Sequence, residues 1–560
     1  MPLQDRDADH GTKRIAADVI VVGAGLAGLV AAATAYAAGK RVAILDQEPA
    51  ASIGGQAHWS FGGLFMVDTP EQRRLGVRDS AELALSDWFA SAAFDRTEDA
   101  HAREWAEAYV HFAAGEKRSW LKSLDVGIFP LVQWAERGGY GPQGHGNTVP
   151  RFHVTWGTGP AVVEPFLAKV QEGVEAGLVS LHFRCRATSL ITTAGRISGV
   201  AGEILEASTA VRGEASSRVA VGGFEAKAGS VVVTTGGIGG NHETVRRQWP
   251  AGTAPEHMLS GVPASVDGGF LPAAEAAGAA LVNGDRMWHY PEGIENYAPV
   301  WPGHGIRILA GPSSLWLDAE GRQLPAPLFP GFDSLGALRH IVGTGHGYSW
   351  FVLNRTIALK ELALSGSEQN PDLTGKDVAL LASRLKPGSD SPIQRFLERG
   401  VDFLQAPTPR ELAAKMNALS GNSLLDANRL EELVVARDLQ VSSGLGKDPQ
   451  LAAIRAARRF ATDKLMRVAA PHRLADPAHG PMVAIRLSVL TRKSLGGLQT
   501  DLRSRVLDAQ GQAIPGLYAA GEAAGFGGGG IHGYRALEGT FLGGCLFTGR
   551  AAGRDAGASV

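Results

Sequence analysis

The stretch from Asp18 to Asp46 limits what this chain can fold into more than any other. Asp18 to Val22 is rich in β-branched residues and reads as a short buried strand. Gly-Ala-Gly-Leu-Ala-Gly follows at 23–28, then an alanine-rich helix to Ala38, stopped by Gly39. A second strand, Arg41 to Leu45, ends at Asp46. The pattern predicts a βαβ unit with a glycine fingerprint in its first turn and an acid about twenty residues on. Gly23 makes the tight turn, Gly25 lets backbone amides approach a pyrophosphate, and Gly28 lets the helix pack on the strand. The helix N-terminus favours phosphate charge, and Asp46 is placed for a ribose hydroxyl. One competing reading is a glycine-rich turn that binds nothing. Another takes Ile15 to Gly39, behind Lys13 and Arg14, as a signal peptide or membrane span. Asp18 and the regularly spaced glycines argue against the second. No other stretch is long and apolar enough to span a bilayer, so the chain is expected to be soluble and cytoplasmic.

Length and composition narrow the class. A chain of 560 residues is longer than one compact core normally holds. Lys and Arg total 54 against 56 Asp and Glu, so no excess of positive charge draws the chain to nucleic acid. Two cysteines, Cys185 and Cys545, are too few for a disulfide framework, an iron–sulfur cluster or a four-cysteine zinc site, and no Cys-x-x-Cys-His attaches haem. The sixteen histidines are scattered, and no metal site is expected. Gly-x-Ser-x-Gly, His-Glu-x-x-His and P-loop signatures do not occur. Glycine stands out at 73 residues, without the three-residue period of collagen, and implies many tight turns.

Beyond the βαβ unit, helices are expected over 72–94 and 99–124, a loop layer over 137–160, and a helix over 164–176. Strands are expected around 179–190 and 217–224, and a buried strand at 230–235. Residues 286–484 change character, with proline-rich turns, aromatic loops and amphipathic helices at 410–416 and 450–468. A last strand-turn-helix begins at Gly516. The expected fold class is α/β: a Rossmann-like nucleotide-binding domain formed by 14–285 and 485–560, discontinuous in sequence, with 286–484 inserted as an α+β cap.

Five blocks, in order, resemble the FAD-dependent fumarate reductase and 3-ketosteroid Δ1-dehydrogenase superfamily. They are the 18–46 unit, the Gly54 to Gly63 run, Cys185 to Ala187, Val231 to Gly237, and a C-terminal set. That set comprises Gly497 to Asp501, Gly516 to Glu522 and Gly539 to Gly543. The resemblance implies noncovalently bound FAD. It assigns cofactor contacts to Gly23, Ala24, Gly25, Ala27, Gly28, Asp46 and Gln47, and to Gly54, Gly55, Gln56, Ser60, Gly62 and Gly63. The remaining contacts are Ala187, Thr235, Gly236, Gly237, Gly521, Glu522, Thr540 and Leu542. A second G-x-G-x-x-G in its own βαβ unit is absent, so tightly held NADPH is not implied.

The resemblance also bears on chemistry. Lys493, in Arg492-Lys493-Ser-Leu-Gly-Gly497, stands where fumarate reductases carry a histidine, and Gly321 to Pro327 lacks the Asn-Glu signature that introduces their proton-delivering arginine. Fumarate reduction is disfavoured. Tyr534, five residues before Gly539-Thr540, reproduces a tyrosine spacing of the steroid branch. By resemblance Tyr534 donates to a substrate carbonyl, with help from the backbone at Glu538, where the family has glycine. The expected substrate is a small apolar ring ketone such as a 3-ketosteroid, desaturated with transfer of electrons to an external acceptor. The family's cap tyrosine is missing from Leu328 to Phe332, so Tyr348 is the candidate base, with His346, His532, Tyr290 and Tyr297 behind it. Trp288, Trp301, Trp316, Trp350 and Phe351 are candidates to line an apolar cleft. Two alternatives stay open: reduction of an activated alkene, and a flavin-loaded binding module without catalysis.

Overall fold

Stacked β-branched residues place the first strand at the centre of the molecule. In the computed structural model, which describes residues 12–139, 146–250, 254–383 and 391–560, Val19–Val22 is wholly buried. It pairs in parallel with Val42–Asp46 on one side and Ser230–Val233 on the other. Val179–Phe183 extends the sheet beyond Val42–Asp46. Ala513–Ala519 extends it beyond Ser230–Val233, and Arg505–Leu507 closes that edge antiparallel. Strands buried on both faces read as continuous valine and isoleucine runs, which is why this sheet was visible in the sequence. Both ends of the chain therefore meet in one six-stranded sheet.

The helix Leu26–Ala37 covers one face, and the C-terminal helix Thr540–Ala558 packs on it through glycine. A Cβ on Gly549 would lie 2.6 Å from the Ala27 carbonyl oxygen, so only glycine allows these axes so close. A four-stranded sheet adjoins, ordered Lys13–Ala16, Ala220–Lys227, Arg196–Leu205, Cys185–Thr193. The single strand expected at 179–190 is thus two strands in two sheets. The chain turns between them at Arg184, with φ +60°.

The second large sheet has eight strands. Its centre is Met482–Ser494, which pairs with Met287–Glu295, Tyr348–Asn354, Leu259–Ser260 and Phe403–Ala406. The expected boundary after residue 484 falls inside this strand. Trp316, Trp350 and Phe351 pack in the core of this layer with Leu353, Phe396 and Ile485.

Several helices differ from expectation for local reasons. Residues 72–94 form two helices, Pro70–Arg74 and Ala81–Ala92, because Thr69 caps the first and Ser80 caps the second. Gly115 ends the helix Asp99–Ala114 before Lys117–Ser123 begins. The loop layer expected at 137–160 contains the strand Phe152–Thr155 and the start of the helix Thr158–Glu175, while residues 140–145 of that reading lie outside the described residues. The helix expected over 450–468 ends at Ala457. No helix among the described residues is long and apolar enough to cross a membrane.

Candidate functional site

The carboxyl ends of the parallel strands open into a cavity of about 690 Å³, running from the glycine turn to the eight-stranded sheet. Open α/β sheets bind ligands at this end. Its nucleotide end is lined by Gly23, Gly25, Ala27, Asp46, Gln47, Gly55 and Ala187, and its middle by Gln56, Ser60, Gly63, Thr235, Gly236, Gly521, Glu522 and Leu542.

The other expected cofactor residues stand behind this wall. The amide of Ala24 donates to Asp46 Oδ2 at 2.7 Å, which fixes the acid at the strand end. Gly54 donates its own amide to the Ala24 carbonyl. A Cβ on Gly28 would overlap the Gly23 carbonyl oxygen. Gly62 and Gly237 also lie behind the lining, and the Thr540 hydroxyl is 2.9 Å from His532 Nε2. Asp46 has its carboxyl pushed up by burial, opposed by amide donation from Ala24 and Glu48.

Two observations test whether this cavity suits a flavin dinucleotide. A Cβ on Gly25 would meet no protein atom within 4 Å, so packing does not demand glycine there; the open space lies over the turn where a pyrophosphate approaches. Thr235 Oγ1 is buried without a hydrogen-bond partner in the cavity wall, which leaves one polar atom for a ligand. The residues fit the group.

In the middle of the cavity, Lys493 Nζ donates to Gln56 Oε1, and Gln56 Nε2 donates to Glu522 Oε2 at 2.8 Å. Glu522 Oε1 accepts the Ser494 amide at 2.9 Å, and Lys493 Nζ lies 3.7 Å from Glu522 Oε2. Burial lowers the Lys493 ammonium from its usual range, with the Glu522 charge opposing.

Beyond Lys493, aromatic and aliphatic side chains dominate: Trp59, Phe61, Trp301, Leu309, Phe526 and Phe541. One polar cluster interrupts them. Arg307 Nη1 donates to Glu538 Oε1 at 2.6 Å, and the Tyr290 hydroxyl donates to the same oxygen at 3.1 Å. The guanidinium lies 3.8 Å above the Tyr290 ring centre. Behind it, Arg307 Nη2 donates to Glu136 at 2.8 Å, and Glu292 is 3.6 Å from Nε. One guanidinium faces three carboxylates. Burial pushes the Glu292 carboxyl up to about 7, opposed by the Arg307 charge and helped by the charges of Glu136 and Glu538. Burial and the Glu538 charge raise the Tyr290 hydroxyl above its usual value.

The expected catalytic tyrosines are not at this wall. Tyr534 directs its hydroxyl to Asp95, at 3.2 Å and 3.3 Å, and its ring lies 4.1 Å from the Arg286 guanidinium carbon. The glycine-rich turn before it carries the side chain to the outside of the site. Tyr348 accepts from Asn422 Nδ2 at 3.0 Å, on the strand Tyr348–Asn354 of the eight-stranded sheet. His346 is 3.7 Å from Glu320, and Tyr297 packs on Phe396. His532 is buried behind Thr540, and burial lowers it to about 3. Of the tyrosines and histidines weighed as bases, Tyr290 lines the cavity. Of the five aromatic side chains expected to form a cleft, Trp301 does. Trp288 is fully buried in the neighbouring core. Sequence reading missed Arg307, two of whose carboxylate partners, Glu136 and Glu538, are far away in the chain.

The profile of the FAD binding domain family matches residues 18–542. The chain belongs to that family, beside the KsdD-like steroid dehydrogenases. One such relative, from Mycobacterium tuberculosis, is 58% identical over 561 residues, covering 100% of this chain and 99% of its own length. Another, from Mycolicibacterium smegmatis, is 60% identical over 546 residues, covering 97% of this chain and 99% of its own. Among solved structures, a 3-ketosteroid Δ1-dehydrogenase from Sterolibacterium denitrificans with 1,4-androstadiene-3,17-dione shares the fold, with TM-score 0.68 and 17% identity. That match covers 97% of this chain and 100% of that one. The open flavocytochrome c3 fumarate reductase shares it too, with TM-score 0.64 and 21% identity over 97% of this chain and 78% of that one. FAD is the cofactor of this FAD binding domain protein.

Proposed function

We propose that the protein is an FAD-dependent dehydrogenase that desaturates a ring ketone of the 3-ketosteroid class, with the layer built on the eight-stranded sheet closing the cavity. The observation that carries this reading is the Arg307–Tyr290–Glu538 cluster, which lines the cavity together with Trp59, Trp301, Phe526 and Phe541. The steroid dehydrogenase relatives support the substrate class.

Removing a proton next to a ketone builds negative charge on the carbonyl oxygen, and fixed donors stabilise that charge. Arg307 and Tyr290 carry such donors; both point at Glu538 Oε1 in the free site and would turn to the ketone oxygen once substrate enters. Glu538, the carboxylate of the cluster that lines the cavity, takes the proton. Bound FAD would supply the acceptor for the hydride lost from the neighbouring carbon. Trp59, Trp301, Phe526 and Phe541 exclude water from the reacting face.

The test is the visible spectrum of the purified protein, then anaerobic addition of a 3-ketosteroid panel. Bleaching of the flavin, and turnover with a phenazine dye, support desaturation. Reoxidation of reduced flavin by an enone, with no bleaching by saturated ketones, would reverse the direction of the reaction. No turnover in either direction would leave a flavin-loaded binding protein.

A further inference from the structure

The segment between the strands Arg196–Leu205 and Ala220–Lys227 carries no helix or strand, yet Arg212, Gly213, Glu214, Ala215 and Ser216 all line the cavity. Its arginine differs from its neighbours at this end. Arg218 pairs with Glu48 at 2.6 Å, and Arg186 pairs with Glu203. Arg184 is spent on the carbonyls of Gln47, Glu206 and Ser217. Arg212 has no carboxylate within ion-pair distance among the described residues. Its Nη1 donates to the Ile53 carbonyl at 2.5 Å, which ties it to the residue before Gly54. Gly54 in turn bridges to Gly25 of the glycine turn. The guanidinium is therefore held beside the place where the helix Leu26–Ala37 presents its N-terminus.

The segment is also fixed from the other side. Gly213 has φ +89°, and a Cβ there would lie 2.7 Å from Val300 and 2.9 Å from Trp59. Trp59 meets Trp301 edge-on at 5.3 Å. The strap is pinned between the nucleotide end and the aromatic wall.

We propose that Arg212 clamps the pyrophosphate of FAD from the side opposite the glycine turn, with residues 206–219 forming a strap over the bound dinucleotide. The inference rests on this cavity being the FAD site. A half-buried guanidinium without a counter-ion is costly, whereas a planar fork matches two phosphate oxygens and binds them more strongly than a neutral donor does. Backbone amides of the turn hold one face of the pyrophosphate, and Arg212 holds the other. Burial lowers the Arg212 guanidinium from its usual value.

The test compares wild type, R212Q and R212K as apoproteins whose melting temperatures match. FAD binding is followed by flavin fluorescence, and ADP and adenosine binding by calorimetry. R212Q is expected to weaken FAD and ADP ~10–100-fold, leave adenosine unchanged and lose part of the salt dependence. R212K is expected to fall between. Equal FAD and ADP affinity in wild type and R212Q overturns the proposal. Equal loss for adenosine and ADP also overturns it, because Arg212 would then only shape the strap. If the wild-type apoprotein binds no FAD, the cofactor reading beneath it falls as well.

Discussion

Two buried cations show how differently one residue type is used. Lys493 faces the cavity with Gln56 and Glu522. Lys117 is wholly buried, donating to the Phe65 carbonyl at 2.8 Å and the Tyr109 hydroxyl at 2.7 Å, and burial lowers it to about 7. An unfolded lysine titrates near 10.5. Between those values the unfolded chain binds more protons, so stability rises as pH climbs from 7 towards 10.5. Thermal melts at pH 7, 8 and 9 are expected to rise with pH relative to Lys117→Met, which lacks the buried amine. At the site, Glu538→Gln keeps the shape and removes the proton acceptor. Turnover per bound flavin is expected to fall ~10²–10⁴-fold with FAD content intact. Tyr534→Phe serves as the contrast and is expected to change turnover less than about twofold, since its hydroxyl serves Asp95; an equal loss in both variants would return Tyr534 to the reaction.

At the scale of elements, the βαβ unit was legible because everything that defines it is local: a β-branched run, glycines at fixed offsets and an acid at the strand end. Gly25→Val should therefore abolish or strongly weaken FAD binding while the melting temperature of the apoprotein stays close to wild type, because no protein atom fills that space. The polar cluster was not legible. Arg307 is separated from Glu136 by 171 positions and from Glu538 by 231, and no spacing rule spans such distances. Tyr534 was singled out by its spacing to Gly539, and its hydroxyl turns to Asp95, a partner that no spacing rule names. The helix Ala81–Ala92 depends on a similar long-range contact. Arg151 holds Asp79 at 2.7 Å and Asp87 at 2.6 Å, with all three side chains buried. Arg151→Met would strand two carboxylates and is expected to cost about 3–5 kcal/mol, read by denaturant unfolding.

The molecule as a whole is joined by one long strand. Met482–Ser494 begins among the core residues of the eight-stranded sheet and ends with Arg492 and Lys493 at the cavity. Four strands pair with it. The change of composition near 485 marked where cap-like sequence ends, but hydrogen bonding carries the sheet nine residues further. Anyone building a chimera, grafting the cap of one steroid dehydrogenase onto the nucleotide half of another to change its substrate range, meets this strand first. A junction at 485 splits a strand at its most heavily paired stretch, and such hybrids are expected to be recovered as insoluble protein. A junction in the turn after Ser494 keeps this strand with its cap partners, though not with Leu259–Ser260, and it also transplants Lys493. In this architecture a new substrate pocket arrives with its own lysine in the cavity wall, so the donor of the cap also sets part of the electrostatics of the cavity.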